Sequence, residues 1–325
     1  MTPAPPMHVS LIAVPGSLAM PRAGLYEVLT AFPVVAKFHD GVPISPPFEV
    51  EIVGTAPGTV TAGSGLPITI QRAVAEVENT DVIIVPTMAV EEGWVIGSHP
   101  ELVKWMQRMH ARGAIMCSAC TGLGLLAETG LLQSLPATTH WAFGPPFREA
   151  FPNVDLRLDE VLVTAGAREE FVMSGGAASW QDLVLYLIGR FVSPVAAQAI
   201  AKFELLERHA DGQAPYLPFL PETQHGDSQV SQHQDWLVEN FAVASPVAEM
   251  IHRSGLSDRA FQRRFKQATG LTPIAYVQHV RVDQAKRMLE QGNLPVDQIS
   301  WEVGYEDAAA FRRPQSAEVG RLAGP

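Results

Sequence analysis

Cys120 is the residue in the first half of the chain best placed for nucleophilic chemistry. It follows an apolar run at residues 114–117 and precedes Thr-Gly and a helical pattern. A thiol at a sharp strand-to-helix turn gains thiolate character from the helix N-terminus. His140, in the segment Thr-Thr-His-Trp, could approach the thiol as a base. The pair predicts a cysteine hydrolase site or the relic of one.

A second group of residues could bind nucleic acid. Residues 247–253 predict a short amphipathic helix, residues 254–256 (Ser-Gly-Leu) a tight turn, and Ser257 the N-cap of a second helix. On that helix Phe261 and Phe265 lie four residues apart and should face the core. The side chains expected to point outward are Arg259, Gln262, Arg263 and Lys266.

These outward side chains match the chemistry of DNA recognition. Arginine pairs bidentately with guanine and glutamine with adenine, so Arg259, Gln262 and Arg263 are candidates for base contacts. Lys266 and His279 suit phosphate better. The alternative is an ordinary solvated helix face, but the preceding helix and its glycine turn favour the DNA-binding interpretation.

The charge distribution agrees with that interpretation. The whole chain carries a net charge of −11, which does not fit a DNA-binding protein at first sight. Residues 253–287, however, hold eight basic and two acidic side chains. Phosphate binding needs a local positive face rather than a positive total, and this segment is predicted to supply it.

The C-terminal end repeats the design. A long helix is predicted from Ile274 to Gln291, then a first helix over Val296–Val303, a turn at Gly304 and a second reading helix from Asp307. In that helix only Arg312 and Arg313 could contact DNA. Pro314 follows directly, and proline ends or kinks a helix. We therefore expect the second unit to be truncated and residues 314–325 to form an aberrant tail.

The first part of the chain alternates strand and helix patterns, which predicts a doubly wound α/β sheet. Buried strands are predicted at His8–Val14, Phe48–Gly54, Asp81–Pro86 and Ala114–Cys117. Helices are predicted at Leu25–Phe38, Ile70–Val77, Pro100–Arg112, Ser179–Arg190 and Pro194–Glu207. A Pro- and Gly-rich stretch then marks a domain boundary. The expected division is an α/β domain at 7–208, a linker at 209–229, an all-α domain at 230–313 and the tail.

Composition limits the class of protein. Two cysteines in 325 residues exclude a disulfide scaffold and favour a reducing compartment. The N-terminus lacks the pattern of a secretory signal, and no apolar run is long enough for a membrane span. We expect a cytoplasmic protein without membrane contact. Cys117 and Cys120 satisfy C-x-x-C, but no set of metal ligands surrounds them, so neither a metal nor a cofactor is expected.

The second half of the chain resembles the AraC-type DNA-binding domain. The matching segments are SGLSDRAFQRRFKQATGLTP, RVDQAKRMLE and VDQISWEVGYEDAAAFRR. The resemblance covers residues from about 236 to 313. It implies a transcriptional regulator in which two helix-turn-helix units occupy adjacent major-groove segments of double-stranded DNA.

The first half resembles the class I amidotransferase-like domain of PfpI-type proteins, in the form fused to AraC-type regulators, the GlxA-type group. The segments that carry this are GSGLPI, CTGLGLLAETGLL, TTHW and SGGAASWQDLVL. The resemblance implies a flavodoxin-like fold over roughly residues 7–205. It also implies a homodimer through this domain and a small nitrogen-containing metabolite, such as an amino acid or betaine, as effector.

Catalysis is not expected from this comparison. Active relatives have a histidine directly after the cysteine, where this chain has Thr121. They also have a carboxylate in the first strand–helix loop, at the position of Pro21. We therefore predict a sensor in which Cys120, Thr121 and His140 line the ligand site. The alternatives are a PfpI-type cysteine amidase that uses Cys120 and His140, redox sensing at Cys120, and a purely dimerising scaffold.

Overall fold

The computed structural model describes residues 5–90, 94–219, 221–223, 225–292, 294–307 and 311. The chain divides into two compact units, Met1–Ala214 and Pro215–Pro325. The division falls inside the segment predicted as a linker. His209 and Gln213 of that segment nevertheless make hydrogen bonds to Asp182 and Thr139, within the first unit. Among the described residues, no helix has both the length and the apolar character needed to cross a bilayer.

The first unit is an α/β fold. Its strands are β1 (Met7–Ile12), β2 (Phe48–Gly54), β3 (Gly58–Thr61), β4 (Pro67–Ile70), β5 (Arg72–Ala73), β6 (Val82–Val85), β7 (Ile115–Ala119), β8 (Pro136–Ala137), β9 (Asp155–Leu156), β10 (Leu162–Ala165) and β11 (Phe171–Ser174). Its helices are α1 (Ala19–Thr30), α2 (Phe32–Val35), α3 (Pro100–Ala111), α4 (Leu123–Ala127), α5 (Gly144–Ala150), α6 (Trp180–Phe191) and α7 (Pro194–Glu204).

Seven strands form the central sheet, in the order β10-β11-β7-β6-β1-β2-β5. All neighbours in it are parallel except β10 and β11, so β10 is an antiparallel edge strand. The inner strands are buried on both faces, as the continuous apolar runs predicted. Residues of α1, α6 and α7 pack together with β1, β6 and β7 in one apolar core. This arrangement confirms the flavodoxin-like, doubly wound sheet.

Two predicted helices of this unit were wrong in extent or type. Residues 70–77 are not a helix but the end of β4, the short β5 and one 3₁₀ turn at Val74–Glu76. Ile68 and Ile70 alternate inward in the β3–β4 hairpin, which is a strand period. The helix predicted at Leu25–Phe38 starts earlier, at Ala19, because proline is tolerated in a first turn. It ends at Thr30, before α2.

The second unit is all-helical. Its helices are α8 (Ser228–Asn240), α9 (Pro246–Ser254), α10 (Asp258–Thr269), α11 (Pro273–Glu290) and α12 (Val296–Glu302). One apolar cluster joins α8, α9, α10 and the first half of α11 around Met250, Phe261 and Phe265. A second cluster joins the rest of α11 to α12 and Phe311. Each cluster is the core of one helix-turn-helix unit, with α11 shared by both.

Candidate DNA interface and candidate ligand site

The turn before α10 is built around a glycine. Gly255 ends α9 in the left-handed region, with φ of 66°, which a glycine adopts without steric cost. Ser257 occupies the N-cap position of α10, as predicted, but its side chain makes no capping hydrogen bond. The hydroxyl of Ser257 is exposed and therefore remains available to another partner.

The two faces of α10 are sharply different. Phe261 and Phe265 are 2% and 0% exposed and form its inner face. Arg259, Arg263 and Lys266 are exposed and follow a spacing of four and then three residues, so they share one outer stripe. None of the three has a hydrogen-bond or ion-pair partner among the described residues.

Gln262 stands beside this stripe and is also exposed. Its Nε2 donates a hydrogen bond to Oδ1 of Asp258, 2.7 Å away. The amide is thereby held on the outer face of α10, with its oxygen unused in that bond. A glutamine held in this way can present acceptor and donor together to a base edge.

Other basic side chains of the segment do not belong to that surface, which corrects the predicted positive face at residues 253–287. Arg281 and Lys286 are buried, at 7% and 8% exposure. Arg287 pairs with Asp283, and Arg264 with Asp227. Arg253, on α9, lies 3.8 Å from Glu249 and over the ring of Trp236. Within residues 253–287, the exposed cations without partners among the described residues are therefore all on α10. His279, predicted to contact phosphate, is exposed but stacks on the ring of Phe219.

The second helix-turn-helix unit begins as predicted, with α12 and a turn at Gly304, whose φ is 88°. Its reading helix lies almost wholly outside the described residues, as do Arg312, Arg313 and the predicted tail. Phe311 is described and is buried at 1% exposure. The contribution of Arg312 and Arg313 to DNA contact thus stays a prediction.

In the first unit, Cys120 lies at the strand-to-helix elbow that the sequence predicted. It follows β7 directly and has a positive φ of 55°, unusual for a residue other than glycine. A Cβ at Gly122 would collide with the carbonyl oxygens of Val85 and Pro86, so only glycine fits this turn. The elbow geometry is that of a nucleophile.

The environment of the thiol differs from that of an activated nucleophile. Cys120 is only 2% exposed. Burial raises the pKa of its thiol, and the nearby polar groups of Thr121, Thr87 and His140 offset this effect only in part. The thiol is therefore protonated at neutral pH, and thiolate character predicted from the helix N-terminus is outweighed by desolvation.

Thr121 and His140 are close to Cys120 in the fold, but the Thr121 hydroxyl and Nδ1 of His140 already have hydrogen-bond partners. The Thr121 hydroxyl accepts a hydrogen bond from the Met88 amide and donates one to the Met88 carbonyl. Nδ1 of His140 accepts a hydrogen bond from the amide of Ala142, at 3.1 Å. Burial also lowers the pKa of His140. Nδ1 is thus unavailable as a base for Cys120.

A small cavity of about 20 Å³ lies next to this site. That volume corresponds to about one water molecule. Its walls are mostly apolar and aromatic. They are formed by Val90, Trp94, Thr121, Gly124, Thr139, Phe143, Pro146 and Phe147. Within the described ranges no three His, Cys, Asp or Glu side chains are grouped as metal ligands.

Two polar residues at the same edge of the sheet were missed by the sequence analysis. Gln213 donates to the Thr139 carbonyl at 2.8 Å and accepts from the Gly176 amide at 2.9 Å. Arg22 is buried near the end of β1. The sequence analysis assigned Gln213 to a linker and left Arg22 in the loop before the helix predicted from Leu25, and no sequence pattern marked either of them.

Comparison with known proteins agrees with both halves of this description. A model of the DJ-1/PfpI family matches residues 27–182, and a model described as a helix-turn-helix domain matches residues 250–323. The second match continues through the segment predicted to be an aberrant tail.

Curated relatives match along most of the chain. The HTH-type transcriptional regulator CdhR of Pseudomonas aeruginosa is 24% identical over 94% of this chain and 87% of its own length. The HTH-type transcriptional regulator GlxA of Rhizobium meliloti is 25% identical over 84% of both chains.

Solved structures support the fold of the first unit. An AraC family transcriptional regulator from Pseudomonas putida superposes with a TM-score of 0.52 at 14% identity, over 61% of this chain and all of that one. Drosophila melanogaster DJ-1beta superposes with a TM-score of 0.50 at 17% identity, over 62% of this chain and all of that one.

The fold and the two sites define a class: a DJ-1/PfpI domain followed by a helical domain with helix-turn-helix architecture. Within that class, the chain combines a helix-turn-helix domain with an N-terminal DJ-1/PfpI domain and is similar along most of its length to HTH-type transcriptional regulators, which confirms the resemblance drawn from the sequence.

Proposed function

We propose that this protein is a transcriptional regulator that binds double-stranded DNA by inserting α10 into the major groove. The observation that carries this function is the outer stripe of α10. Arg259, Arg263 and Lys266 are exposed cations without partners among the described residues, on a helix whose opposite face is buried. Exposed cations that are not satisfied within the protein are available for phosphates and base edges.

Roles within the stripe follow from side-chain chemistry. Arg259 and Arg263 are proposed to read guanine and Gln262 to read adenine. Lys266 and the hydroxyl of Ser257 are proposed to bind phosphate, which fixes the register of the helix on the duplex. Arg312 and Arg313 are proposed to contact DNA from the second helix-turn-helix unit. The names of the curated relatives, which are HTH-type transcriptional regulators, support the regulatory function as a whole.

The first unit is proposed to act as a sensor and to pair two copies of the chain. The supporting observation is that the DJ-1/PfpI elbow is kept, while the groups that would activate Cys120 are absent or engaged. A small metabolite is proposed to bind near Cys120, Thr121 and His140. Since a regulator acts where the DNA is, we place the protein in the cytoplasm.

The enzyme alternative rests on one feature, the strained backbone of Cys120. A cysteine hydrolase needs a base within reach and a group that orients it. Nδ1 of His140 is occupied, and Pro21 supplies no carboxylate. We infer that the chain is not a hydrolase.

Selection of duplexes from a random double-stranded library by the full-length protein tests the regulator function. We expect a recurrent motif after several rounds, and its loss in the variant with Arg259, Arg263 and Lys266 all replaced by alanine. Arg108→Ala, an exposed arginine of α3, is the matched control. Enrichment of the same motif by the triple variant would show that α10 is not the reading helix.

A further inference from the structure

Arg22 is the least exposed charged side chain of the described residues, at 2%. It lies in the second turn of α1 and reaches back toward the end of β1. Its Nε donates to the Ile12 carbonyl at 3.2 Å, and its Nη2 donates to the Ser17 hydroxyl at 2.6 Å. Its Nη1 has no hydrogen-bond partner in this part of the chain. A guanidinium carries five N–H donors, so most of the donors of Arg22 are unused.

The charge of Arg22 is also unmatched. No ion pair among the described residues includes it. Burial lowers the pKa of Arg22 to about 10, so the side chain is still a cation near neutral pH. A buried charge without a counter-charge is unfavourable and calls for a partner of opposite sign.

The other deeply buried arginine shows how this chain satisfies such a group internally. Arg281 is 7% exposed, and it donates to the carbonyls of Phe241 and Val243, both at 2.8 Å. It also lies over the ring of Tyr305. By comparison, Arg22 has only one carbonyl and one hydroxyl as hydrogen-bond partners and lies over no aromatic ring among the described residues, although it is the more buried of the two.

The position of Arg22 is one where α/β sheets bind ligands. Along the sheet, β2 lies on one side of β1 and β6 lies on the other. The order in which strands are added to the sheet therefore reverses between β1 and β6. Ligands of open α/β sheets bind outside the carboxyl ends of the strands at such a switch point. The loops after β1 and β6 meet there through the hydrogen bond from the Leu18 amide to the Thr87 carbonyl. Pro15 and Leu18 are exposed, so Arg22 lies only one loop below the surface.

A second unpaired donor lies in the same layer of helices. The indole of Trp180, at the start of α6, packs on Gly24 of α1, where a Cβ would lie 2.6 Å from Cζ2 of the ring. Nε1 of Trp180 is buried and has no hydrogen-bond partner among the described residues. The α1–α6 layer thus contains a guanidinium nitrogen and an indole N–H, both donors and both unsatisfied.

We propose that Arg22 binds the carboxylate group of a small molecule at the β1–β6 switch point. One buried positive charge is balanced by one negative charge, which favours a monoanion over a phosphate dianion. A carboxylate also matches the planar fork of a guanidinium. In taking this molecule as the effector, the inference rests on the sensing role proposed above.

Thermal unfolding of the full-length protein without DNA tests the site, with sodium acetate as the probe and sodium chloride at equal ionic strength as the reference. We expect acetate to raise the midpoint in a saturable way, because a ligand that binds only the folded state stabilises it. In Arg22→Met the apparent acetate affinity should fall at least tenfold. Arg108→Met, a substitution of an exposed arginine, should respond like the wild type.

Three results would overturn the proposal: no acetate response in the wild type, an equal response in Arg22→Met, or an equal effect of chloride, which would assign the site to inorganic anions. If Arg22→Met does not fold, a crystal of the wild-type protein grown in acetate replaces the variant as the readout. Absence of acetate at Nη1 there would also refute the site. Selection of a DNA motif by the wild type is measured independently of acetate binding. A failure of the proposed regulator function would therefore not change the acetate result.

Discussion

Arg264 and Asp227 form a two-point ion pair between α10 and the start of α8. Nε of Arg264 lies 2.6 Å from Oδ2 of Asp227, and Nη2 lies 2.9 Å from Oδ1. The same carboxylate caps α8 by accepting from the Val230 amide. Arg263, the preceding residue in the sequence, belongs to the outer stripe and has no such partner among the described residues. Adjacent arginines on one helix therefore have different tasks, one structural and one available for DNA.

Replacing each arginine by alanine should separate these tasks. Arg263→Ala is expected to weaken binding to the selected duplex by about ten- to a hundredfold and to relax base preference at one position, because a bidentate base contact contributes about 1–3 kcal/mol. Its unfolding midpoint should not change. Fluorescence anisotropy with labelled duplex measures the affinity.

Arg264→Ala is the matched control, since it removes the same charge one residue away. It should lose stability while keeping base preference, because its partner is Asp227 rather than DNA. If Arg264→Ala relaxes base preference and Arg263→Ala does not, the outer stripe of α10 has been assigned to the wrong side of the helix.

Lys266→Ala should act differently from both arginine variants. A phosphate contact carries no sequence information, so binding should weaken by a similar factor on specific and unrelated duplexes. The dependence of log affinity on log salt concentration should become shallower by about 0.9, the value for one phosphate neutralised on B-DNA. Titrations at four salt concentrations measure this slope. An unchanged slope would exclude a direct phosphate contact by Lys266.

The Asp227 carboxylate also predicts a pH dependence of stability. The hydrogen bonds from Arg264 are the largest cause that lowers the pKa of Asp227 in the folded protein. Its stabilising effect is complete above the unfolded pKa of about 3.9 and is lost as pH falls through the lower folded value. Urea unfolding should thus show Asp227→Asn less stable than wild type at pH 6, with the difference shrinking below about pH 4. A difference that stays constant down to pH 2 would contradict this.

The reading helix shows what local sequence can predict. Phe261 and Phe265 are four residues apart, and that spacing alone placed Arg259, Gln262, Arg263 and Lys266 on the outer face, where the structure has them. The pairing of Arg264 could not be predicted, because Asp227 is 37 residues away in the sequence. The burial of Arg281 has the same origin, since its partners lie between α8 and α9.

The first unit shows the same limit. Apolar runs predicted β1, β2, β6 and β7 to within two residues, because the strands of a covered parallel sheet have a distinctive local composition. The state of the Cys120 site depends on distant groups instead. The Met88 amide donates a hydrogen bond to the Thr121 hydroxyl, and Gln213, which follows α7 in the sequence, donates one to the Thr139 carbonyl. Neither interaction leaves a local pattern that the sequence alone could display.

The thiol of Cys120 provides a test of the non-enzymatic assignment. Burial is the largest cause that raises the pKa of Cys120, so thiolate forms only at alkaline pH. Iodoacetamide should alkylate the folded protein slowly at pH 7 and faster as pH rises above about 9, since the thiolate is the nucleophile. Mass spectrometry of the peptide containing residues 113–130 locates the modified cysteine, with the urea-unfolded chain as the reactive control.

Substitution completes that test. Cys120→Ser is expected to leave DNA binding and base preference unchanged, because the residue contacts no DNA in the proposed function. Rapid alkylation at pH 7 together with hydrolysis of an amide substrate lost in Cys120→Ser would restore the enzyme alternative.

Arg281 links the two helix-turn-helix units, and its loss should affect both. The side chain extends from α11 to the carbonyls of Phe241 and Val243 and covers Tyr305, which follows α12. Arg281→Met removes the donor from both carbonyls, so the all-helical unit should lose about 1–2 kcal/mol of unfolding free energy. Urea unfolding of the full-length protein, followed by hydrogen exchange in residues 228–307, measures this loss.

Gly304→Ala tests the same junction from the other side. An added Cβ there would lie 2.7 Å from the Ala242 carbonyl oxygen and 2.8 Å from Nη2 of Arg281, and the backbone φ of 88° disfavours alanine independently. Because both substitutions disturb one contact, their effects on stability should be less than additive in the double variant. Full additivity would mean that Arg281 and Gly304 stabilise the domain separately, and that Arg281 does not couple the two units.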